Sequence, residues 1–532
     1  MKLFYKMVLY GIIGLVLFFG RIDKVVFAQR YPFPQDITYQ YGIKPNNVSQ
    51  DVMDDTVKDI YNTWKSNYLL DAGLDAEGHQ MYRINCHESE DGDTVSEGQG
   101  YGMLVEVIIA GYDTNAQNYY NGLFYFYKKY RNANGLMKWY VNASGNPSKG
   151  NDNATDGDLD AALSLIMADA QWGSEGEINY SEEAIKVLNS LISNNVDMPG
   201  NDGKSVEDND WSIRCGDWWG YDSTNLTRTS DFLVSHFKIF AQFYDSRWTN
   251  VANRCYNIIN IVQSNYSSSG LLPDFLYTTN GNPDVMIPPG KIIESVHDGE
   301  YHYNACRDPW RITIDYLLSG DLRAKNSMVK ISDFIKSKTS ANPDNIVDGY
   351  HLNGNAYGGG FSLAFAAPFG VAAMVDSTYQ DWLNDLYNKC ISAGKEGYYE
   401  DTINLLSLFV MTGNWWAPSF VTPTTNHQEN VSIRLSENKI KAYPSIFSKG
   451  EEVTIVYKVA NELLPLIEGK DIKMIVYNLY GEKIYEKEVT EVYGKIITTW
   501  DGTVNNKYVS PGLYIIKLRN DYFEKIVRVI YR

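Results

Sequence analysis

Between about residue 51 and residue 412, apolar residues recur mainly at i, i+3, i+4 and i+7, the spacing that lines one face of a helix. The pattern predicts twelve helices in six successive pairs: 51–68 and 97–111, 115–131 and 157–172, 181–195 and 230–243, 247–264 and 303–319, 321–337 and 360–374, 378–392 and 399–412. Between them run long Gly, Asn and Asp-rich connections such as NASGNPSKGNDNATDGD and NPDVMIPPGKIIESVHDGE. Both exceed the roughly 12–15 residues beyond which structureless loops usually carry a function. Loops of this kind build sites on a rigid scaffold. After Trp416 the pattern changes. APSFVTPTTNHQEN is polar and rich in Pro and Thr, and VTIVYKV, IKMIVYNL, KIITTW and LYIIKLR then alternate with the period of strands. The expectation is a linker at 419–431 followed by a small all-β domain at 432–532, its hairpins punctuated by Gly and Asn.

At 532 residues the chain is longer than one hydrophobic core usually serves, in keeping with two domains. Lys2 and Lys6 precede an apolar run from Val8 to Phe19, and Val26-Phe27-Ala28 supplies a peptidase cleavage pattern, so residues 1–28 read as an export signal. The run falls short of the roughly 20 residues that span a bilayer, an uncleaved anchor being the alternative reading, and no membrane partner is expected once it is removed. The net charge of −18 becomes −21 without that segment, residues 29–431 carrying −24 and residues 432–532 carrying +3. Such a field repels nucleic acid and would attract a polycation, although simple solubility explains it equally well. Cys86, Cys215, Cys255, Cys306 and Cys390 are widely spaced and odd in number, without a CxxC pair. They read as small core residues, neither a zinc set nor a disulfide framework, and no metal or other cofactor is expected.

Two stretches carry candidate chemistry. TVSEGQGYGMLVEVIIAGYD places Glu97 just ahead of a strongly apolar helix, with glycines that allow close approach to the backbone. On spacing alone Glu97 reads equally well as an acid favoured by the helix dipole. NATDGDLDAALSLIMADAQW sets Asp156, Asp158 and Asp160 at alternate positions where a loop enters a helix. A calcium loop would need Gly in place of Ala161 and Glu in place of Met167, which argues against calcium.

SEGQGYG followed by ATDGDLDAALSLIMADAQW, and further along YNACRDPWRITIDYLLSGDLRAK, IVDGYHLNGN and MTGNWWAP, resemble glycoside hydrolase family 8 over nearly all of residues 50–418. The resemblance implies an (α/α)6 barrel over 29–418 and an inverting endo-hydrolase of β-1,4-linked polysaccharide, in a family that includes cellulases, chitosanases, mixed-linkage glucanases and xylanases. Inversion uses one protonated and one ionised carboxyl, about 6.5–9.5 Å apart. By resemblance Glu97 is the acid, with a raised pKa, and Asp158 grips the sugar at the cleavage point. Asp156 and Asp160 support that loop, Asp156 also within reach of substrate. Many family members carry the base Asp where this chain has Asn304. A subgroup of chitosanases and mixed-linkage glucanases is similar to this chain in having Asn there, and takes its base Glu from the loop just upstream. That points to Glu294 as base, with Glu300 and Asp298 as alternatives, and to Asn304, Arg307 and Tyr303 as residues that orient water, base and sugar. Trp139, Trp211, Trp218, Trp219 and Trp415 could stack on sugars, Trp139 being favoured. The C-terminal segment resembles the immunoglobulin-like sandwich modules, sorting domains among them, that end many exported bacterial proteins. The combined expectation is a secreted or cell-surface bacterial monomer acting on a β-1,4-linked polysaccharide, chitosan being favoured by the acidic charge. The competing class is a polysaccharide-binding protein without activity.

Overall fold

The structure is a computed structural model that describes residues 29–87, 92–198, 210–217, 225–279, 283–418 and 440–532, the last with short gaps at 444–445, 460–470, 479–481, 493–494, 506 and 521–522. Residues 1–28, the linker, Trp218 and Trp219 lie outside the described residues. Among those described, twelve α-helices occupy the first part of the chain: α1 Gln50–Tyr68, α2 Ser96–Ile109, α3 Ala116–Lys129, α4 Thr155–Trp172, α5 Tyr180–Asn194, α6 Val234–Phe243, α7 Trp248–Asn265, α8 Asp308–Ser319, α9 Leu322–Lys338, α10 Leu363–Ala372, α11 Gln380–Ser392 and α12 Tyr398–Met411.

The helices alternate in kind. α1 buries a single stripe, Met53, Val57, Tyr61, Trp64 and Tyr68, and is mostly polar elsewhere. α2 is buried at every position except Glu97, and α10 at all ten. A helix apolar all round belongs inside, and one with a single apolar stripe belongs outside. Contacts follow this rule. The even-numbered helices touch in the cyclic order α2, α4, α6, α8, α10, α12 and back to α2, and each rests on an odd-numbered neighbour. A closed inner ring of six within an outer ring of six is consistent with an (α/α)6 barrel.

Two expected helices start late. The chain at 229–231 and at 305–307 forms single 3-10 turns, so α6 begins at Val234 and α8 at Asp308. Pro309 explains the second case: its fixed φ and missing N–H suit the first turn of a helix. Short strands that the helical pattern did not reveal join the rings: β1 Leu69–Leu74 with β2 Gln80–Ile84, β3 Thr94–Val95 with β4 Tyr140–Val141, and β5 Asn225–Arg228, β6 Phe275–Thr278 and β7 Val285–Met286 in one antiparallel sheet.

The C-terminal part is all β: β8 Ile440–Tyr443, β9 Ile446–Phe447, β10 Val453–Lys458, β11 Ile472–Tyr477, β12 Lys483–Val489, β13 Glu491–Val492, β14 Lys495–Trp500, β15 Thr503–Val504, β16 Lys507–Tyr508, β17 Gly512–Arg519 and β18 Glu524–Tyr531. One sheet has the order β13-β14-β10-β8 and the other β12-β11-β17-β18-β9. Val453, Ile455 and Tyr457 of the first and Met474, Val476, Ile516 and Leu518 of the second share a core, as their two-residue period requires. No helix among the described residues is long and apolar enough to cross a membrane.

The feature of the helical rings that matters for the site is the contact of α2 with α4. A Cβ on Gly157 would stand 2.5 Å from the Ser96 carbonyl oxygen and 2.7 Å from the Glu97 nitrogen, and one on Gly100 would stand 2.6 Å from the Gly157 oxygen. These obstacles are backbone atoms, which cannot rotate aside, so the two helix starts meet only because both positions lack a side chain. Gly157→Ala is expected to destabilise the fold by about 1–3 kcal/mol, the usual penalty of overpacking, and to lower activity by shifting Glu97. Denaturant unfolding beside an activity assay checks this; a variant as stable and active as the parent would refute the contact.

Candidate active site

Glu97 stands in the first turn of α2 and Asp156 in the first turn of α4. Arg228 ends β5, Asp231 lies in the turn before α6, Asn304 and Arg307 lead into α8, and Tyr398 opens α12. The residues that gather are thus at the N-terminal ends of inner helices, where exposed N–H groups favour negative charge. Pairing of β3 with β4, and a 2.9 Å bond from Ser96 N–H to the Trp139 carbonyl, fix the path into Glu97.

Arg307 is 1% exposed and holds this end together. Its Nη1 donates to Glu97 Oε2 at 2.5 Å, Asp156 Oδ2 at 2.8 Å and the Tyr101 hydroxyl at 3.2 Å. Its Nη2 donates to Ser230 Oγ at 2.8 Å and Asn304 Oδ1 at 3.0 Å. Arg228 reaches Asp156 Oδ1 at 2.8 Å through Nη2 and Asp231 Oδ1 at 3.0 Å through Nε. The Tyr398 hydroxyl donates to Glu97 Oε1 at 3.2 Å.

Two carboxyls share Arg307, yet their proton affinities diverge. Burial pushes Glu97 up to about 7 against the pull of Arg307, and the neighbouring Asp156 adds to the rise. Burial acts on Asp156 too, but Arg228 and Arg307 together outweigh it and hold this carboxyl below the usual range. Paired carboxyls driven apart in this way can take the proton-donating and the ionised role respectively.

The structure separates the three aspartates of the second motif. Only Asp156 joins Glu97. The expected sugar-gripping role does not suit Asp158, which is fully enclosed: it accepts from the Tyr127 hydroxyl, from Asn153 Nδ2 at 2.8 Å and from Met137 N–H at 3.0 Å. Burial pushes it up to about 7, against those three donors. The reason is helical geometry: residues 156 and 158 are about 200° apart around α4 and cannot face the same space. Asp160 pairs with both terminal nitrogens of Arg311, at 2.8 and 2.5 Å, and with His236 at 3.1 Å inside the ring.

On the opposite side, Glu294 Oε2 accepts a 2.8 Å bond from Asn304 Nδ2, whose Oδ1 faces Arg307. Glu97 and Glu294 are therefore joined through Arg307 and Asn304. The two alternatives face elsewhere. Asp298 is wholly buried and accepts the N–H groups of Ile292, Ile293, Glu294 and Ser295 at 2.7, 2.7, 3.2 and 2.8 Å. Burial would raise its pKa, but these four donors hold it below the usual range. Glu300 accepts from Leu352 N–H at 2.8 Å and pairs with His351 at 3.0 Å.

Tyr303 donates to Asp348 Oδ2 at 3.2 Å. Trp139 is half-buried, with Nε1 on the Lys149 carbonyl and the Lys149 ammonium over its ring. Trp211 is half-buried against the core, and Trp415 is a core residue set edge-on to Trp310. A cavity of about 780 Å³ is lined by Tyr68, Asn85, Cys86, Tyr398, Tyr399 and Glu400 among others, and its wall residue Tyr398 is the one whose hydroxyl binds Glu97. Among the described residues, Asp75, Glu77 and His79 form the one set of three metal-type ligands close to each other; they are on the β1–β2 turn, outside this network.

Sequence reading missed Arg228, Asp231, Asp274 and Tyr398. Asp274 binds Asn304 and is the single acid within the apolar run LLPDFL, a position where a carboxylate must be paired. That run was the available signal.

A helical ring with one protonatable and one ionised carboxyl at its end has groups of the kind that acid–base hydrolysis of a glycosidic bond uses. Comparison with known proteins supplies the family. Residues 48–413 match Glycosyl hydrolases family 8; the chain belongs to this family and is a glycoside hydrolase. A beta-glucanase of Niallia circulans is 46% identical over 396 residues, which cover 73% of this chain and 92% of that protein. An endoglucanase of Bacillus sp. (strain KSM-330) is 39% identical over 396 residues, covering 73% and 82%. The solved apo structure of a beta-1,3-1,4-glucanase from Paenibacillus sp. X4 superposes with a TM-score of 0.68 at 44% identity, over 73% of this chain and all of that one.

The position of Glu97 sets a pH dependence. If Glu97 is the proton donor, only its protonated form is active, and kcat/KM is expected to fall about tenfold per pH unit above a midpoint near 7. An initial-rate profile from pH 4 to 9 measures this, and a rate still rising at pH 9 would exclude Glu97 as the acid.

Proposed function

We propose that the protein is an inverting endo-β-glucanase cutting β-1,4 bonds in mixed-linkage or plain β-glucan. Glu97 donates its proton to the leaving glycosidic oxygen. Glu294 takes a proton from a water that attacks the anomeric carbon from the opposite face of the ring. Asp156, kept ionised by its two arginines, takes the part first expected of Asp158, and its negative charge stabilises the positive charge that develops on the sugar. The observation that carries the reading is the link from Glu97 through Arg307 and Asn304 to Glu294: a raised carboxyl and a second carboxyl held by one continuous set of hydrogen bonds. The glucanase relatives at 46%, 44% and 39% identity support glucan as substrate. Chitosan is the second reading, on the strength of the −24 carried by residues 29–431. Residues 1–28 serve as an export signal, and the C-terminal β domain, an immunoglobulin-like sandwich, serves to attach or sort the enzyme at the bacterial surface.

The test is release of reducing ends from barley β-glucan, carboxymethylcellulose and chitosan side by side, with anomeric NMR on the polymer that is cut. Release from a glucan with an inverted first product is expected. Retained configuration would refute the mechanism, and retention on an affinity gel without release would make the chain a binding protein. Glu97→Gln and Glu294→Gln are each expected to lower kcat on barley β-glucan by about 10²–10⁴-fold with the fold intact. If turnover survives in Glu294→Gln, the base lies elsewhere.

A further inference from the structure

Asn304 occupies a position where its amide has one workable orientation. Its Oδ1 receives Nη2 of Arg307 at 3.0 Å and Nη1 of Arg228 at 3.5 Å, and guanidinium groups only donate. Its Nδ2 points to Glu294 Oε2 at 2.8 Å and Asp274 Oδ2 at 3.3 Å; burial pushes the Asp274 carboxyl up to about 7, but both its oxygens already receive backbone N–H groups and so act as acceptors here. Turning the amide over would set its oxygen against two carboxylates and its NH2 against two guanidinium groups. An Asp in the same place would bring a third carboxylate against the other two, so with Asp274 and Glu294 as neighbours the amide is the group that fits.

Asp274 is what fixes this arrangement from below. It is 2% exposed and itself has little freedom: Oδ1 accepts from Ala305 N–H at 2.7 Å and His302 N–H at 3.0 Å, and Oδ2 accepts from Asn304 N–H at 3.2 Å as well as from the side-chain amide. It therefore binds both the backbone of the turn that carries Asn304 and the side chain that reaches Glu294. It sits at the start of the Asp274-Phe275 segment entering β6, whose Phe275 N–H and Asp274 N–H bind the carbonyls of Asp298 and Glu300, so the loop bearing Glu294 is tied to the same strand. Nothing in the hydrogen bonds of Asp274 puts it against substrate or the acid.

We propose that Asp274 is the positioning residue for the general base: it locks the Asn304 amide with its N–H toward Glu294, and through that one bond holds the Glu294 carboxylate at the angle from which it takes a proton from water. This rests on the reading of Glu294 as base. The effect is on the geometry of proton transfer, where a displacement of about 1 Å can cost about 100-fold in rate, and not on the binding of sugar.

The experiment is a mutant cycle in the full-length protein on barley β-glucan: Asp274→Ala, Asn304→Ala, the double variant, and Glu294→Ala alone and combined with Asp274→Ala. Each of Asp274→Ala and Asn304→Ala is expected to lower kcat by about 10- to 100-fold with KM within about twofold, the signature of an interaction used only in the transition state. Because they act through one bond, the double variant should be no slower than the slower single. With the base removed its positioner has nothing to position, so Asp274→Ala should change the residual, azide-supported rate of Glu294→Ala by less than about twofold, against its 10- to 100-fold effect on the parent. Asp274→Asn, which keeps the shape and an acceptor oxygen for the backbone but opposes its own NH2 to that of Asn304, serves if the alanine variant does not fold, and should show the same loss of kcat. Multiplying losses in the double variant, a rise in KM as large as the fall in kcat, or a full repeat of the loss in the Glu294→Ala background would each overturn the proposal. Parental turnover in Glu294→Ala would instead remove the base assignment on which the proposal rests.

Discussion

The end of the barrel that bears the candidate active site depends on one buried cation. A guanidinium removed from water must be matched by acceptors, and Arg307 finds them on residues from α2, α4, the turn before α6 and its own turn before α8: Glu97, Tyr101, Asp156, Ser230 and Asn304. No one helix could satisfy it. The residues that a hydrolytic site needs are therefore brought together by the requirement to pair a charge that lies among them. The same requirement divides the two carboxyls. Asp156 is paired with a second guanidinium, that of Arg228, and stays ionised, while Glu97 is bonded to Arg307 and a tyrosine hydroxyl, feels Arg228 without pairing with it, and rises toward neutrality because burial outweighs them.

The glycines make that pairing possible. Gly157 and Gly100 let the starts of α2 and α4 touch backbone to backbone, so the two carboxyls can reach a single nitrogen of Arg307. The inner helices also present their N-terminal ends at this face, and the N–H groups there favour carboxylates by about 0.3–1 kcal/mol each. A barrel whose inner helices run the same way thus concentrates acidic residues and the groups that tune them at one end.

Much of this was legible in the sequence, and the reason is physical. The inner and outer helices differ in how much of their circumference is apolar, so all twelve could be placed from periodicity, and the largest errors, at α6 and α8, fall where a 3-10 turn stands just ahead of the helix. Glu97, Glu294, Asn304 and Arg307 could be proposed because they sit in motifs with a family likeness. Between Asp156 and Asp158 the sequence reading chose Asp158, whereas the structure sets Asp156 beside Glu97, since alternate acids at a helix start look alike until the helix phase around the ring is known. Arg228, Asp231 and Asp274 were missed for a different reason. They lie far along the chain from the residues they touch, as Asp274 does from Asn304 or Arg228 from Asp156, and local spacing carries no trace of such partnerships.

The position of Asn304 shows how the same network can serve with its second carboxyl on a loop instead of a helix end. A side chain on a loop has more freedom than one in a first turn, and that freedom must be removed if it is to act at a fixed angle. Here the loop is stiffened from beneath by Asp298, which gathers four successive backbone N–H groups, Glu294's among them, onto one carboxylate. The Glu294 side chain is then held by the Asn304 amide, whose orientation is set by guanidinium groups on one side and Asp274 on the other. The loop gains in this way a rigidity that a helix start has by construction. An amide is suited to the task because it is the one small side chain that donates and accepts at once in a plane, and so can join the arginine side of the site to the carboxylate side without adding a charge to either.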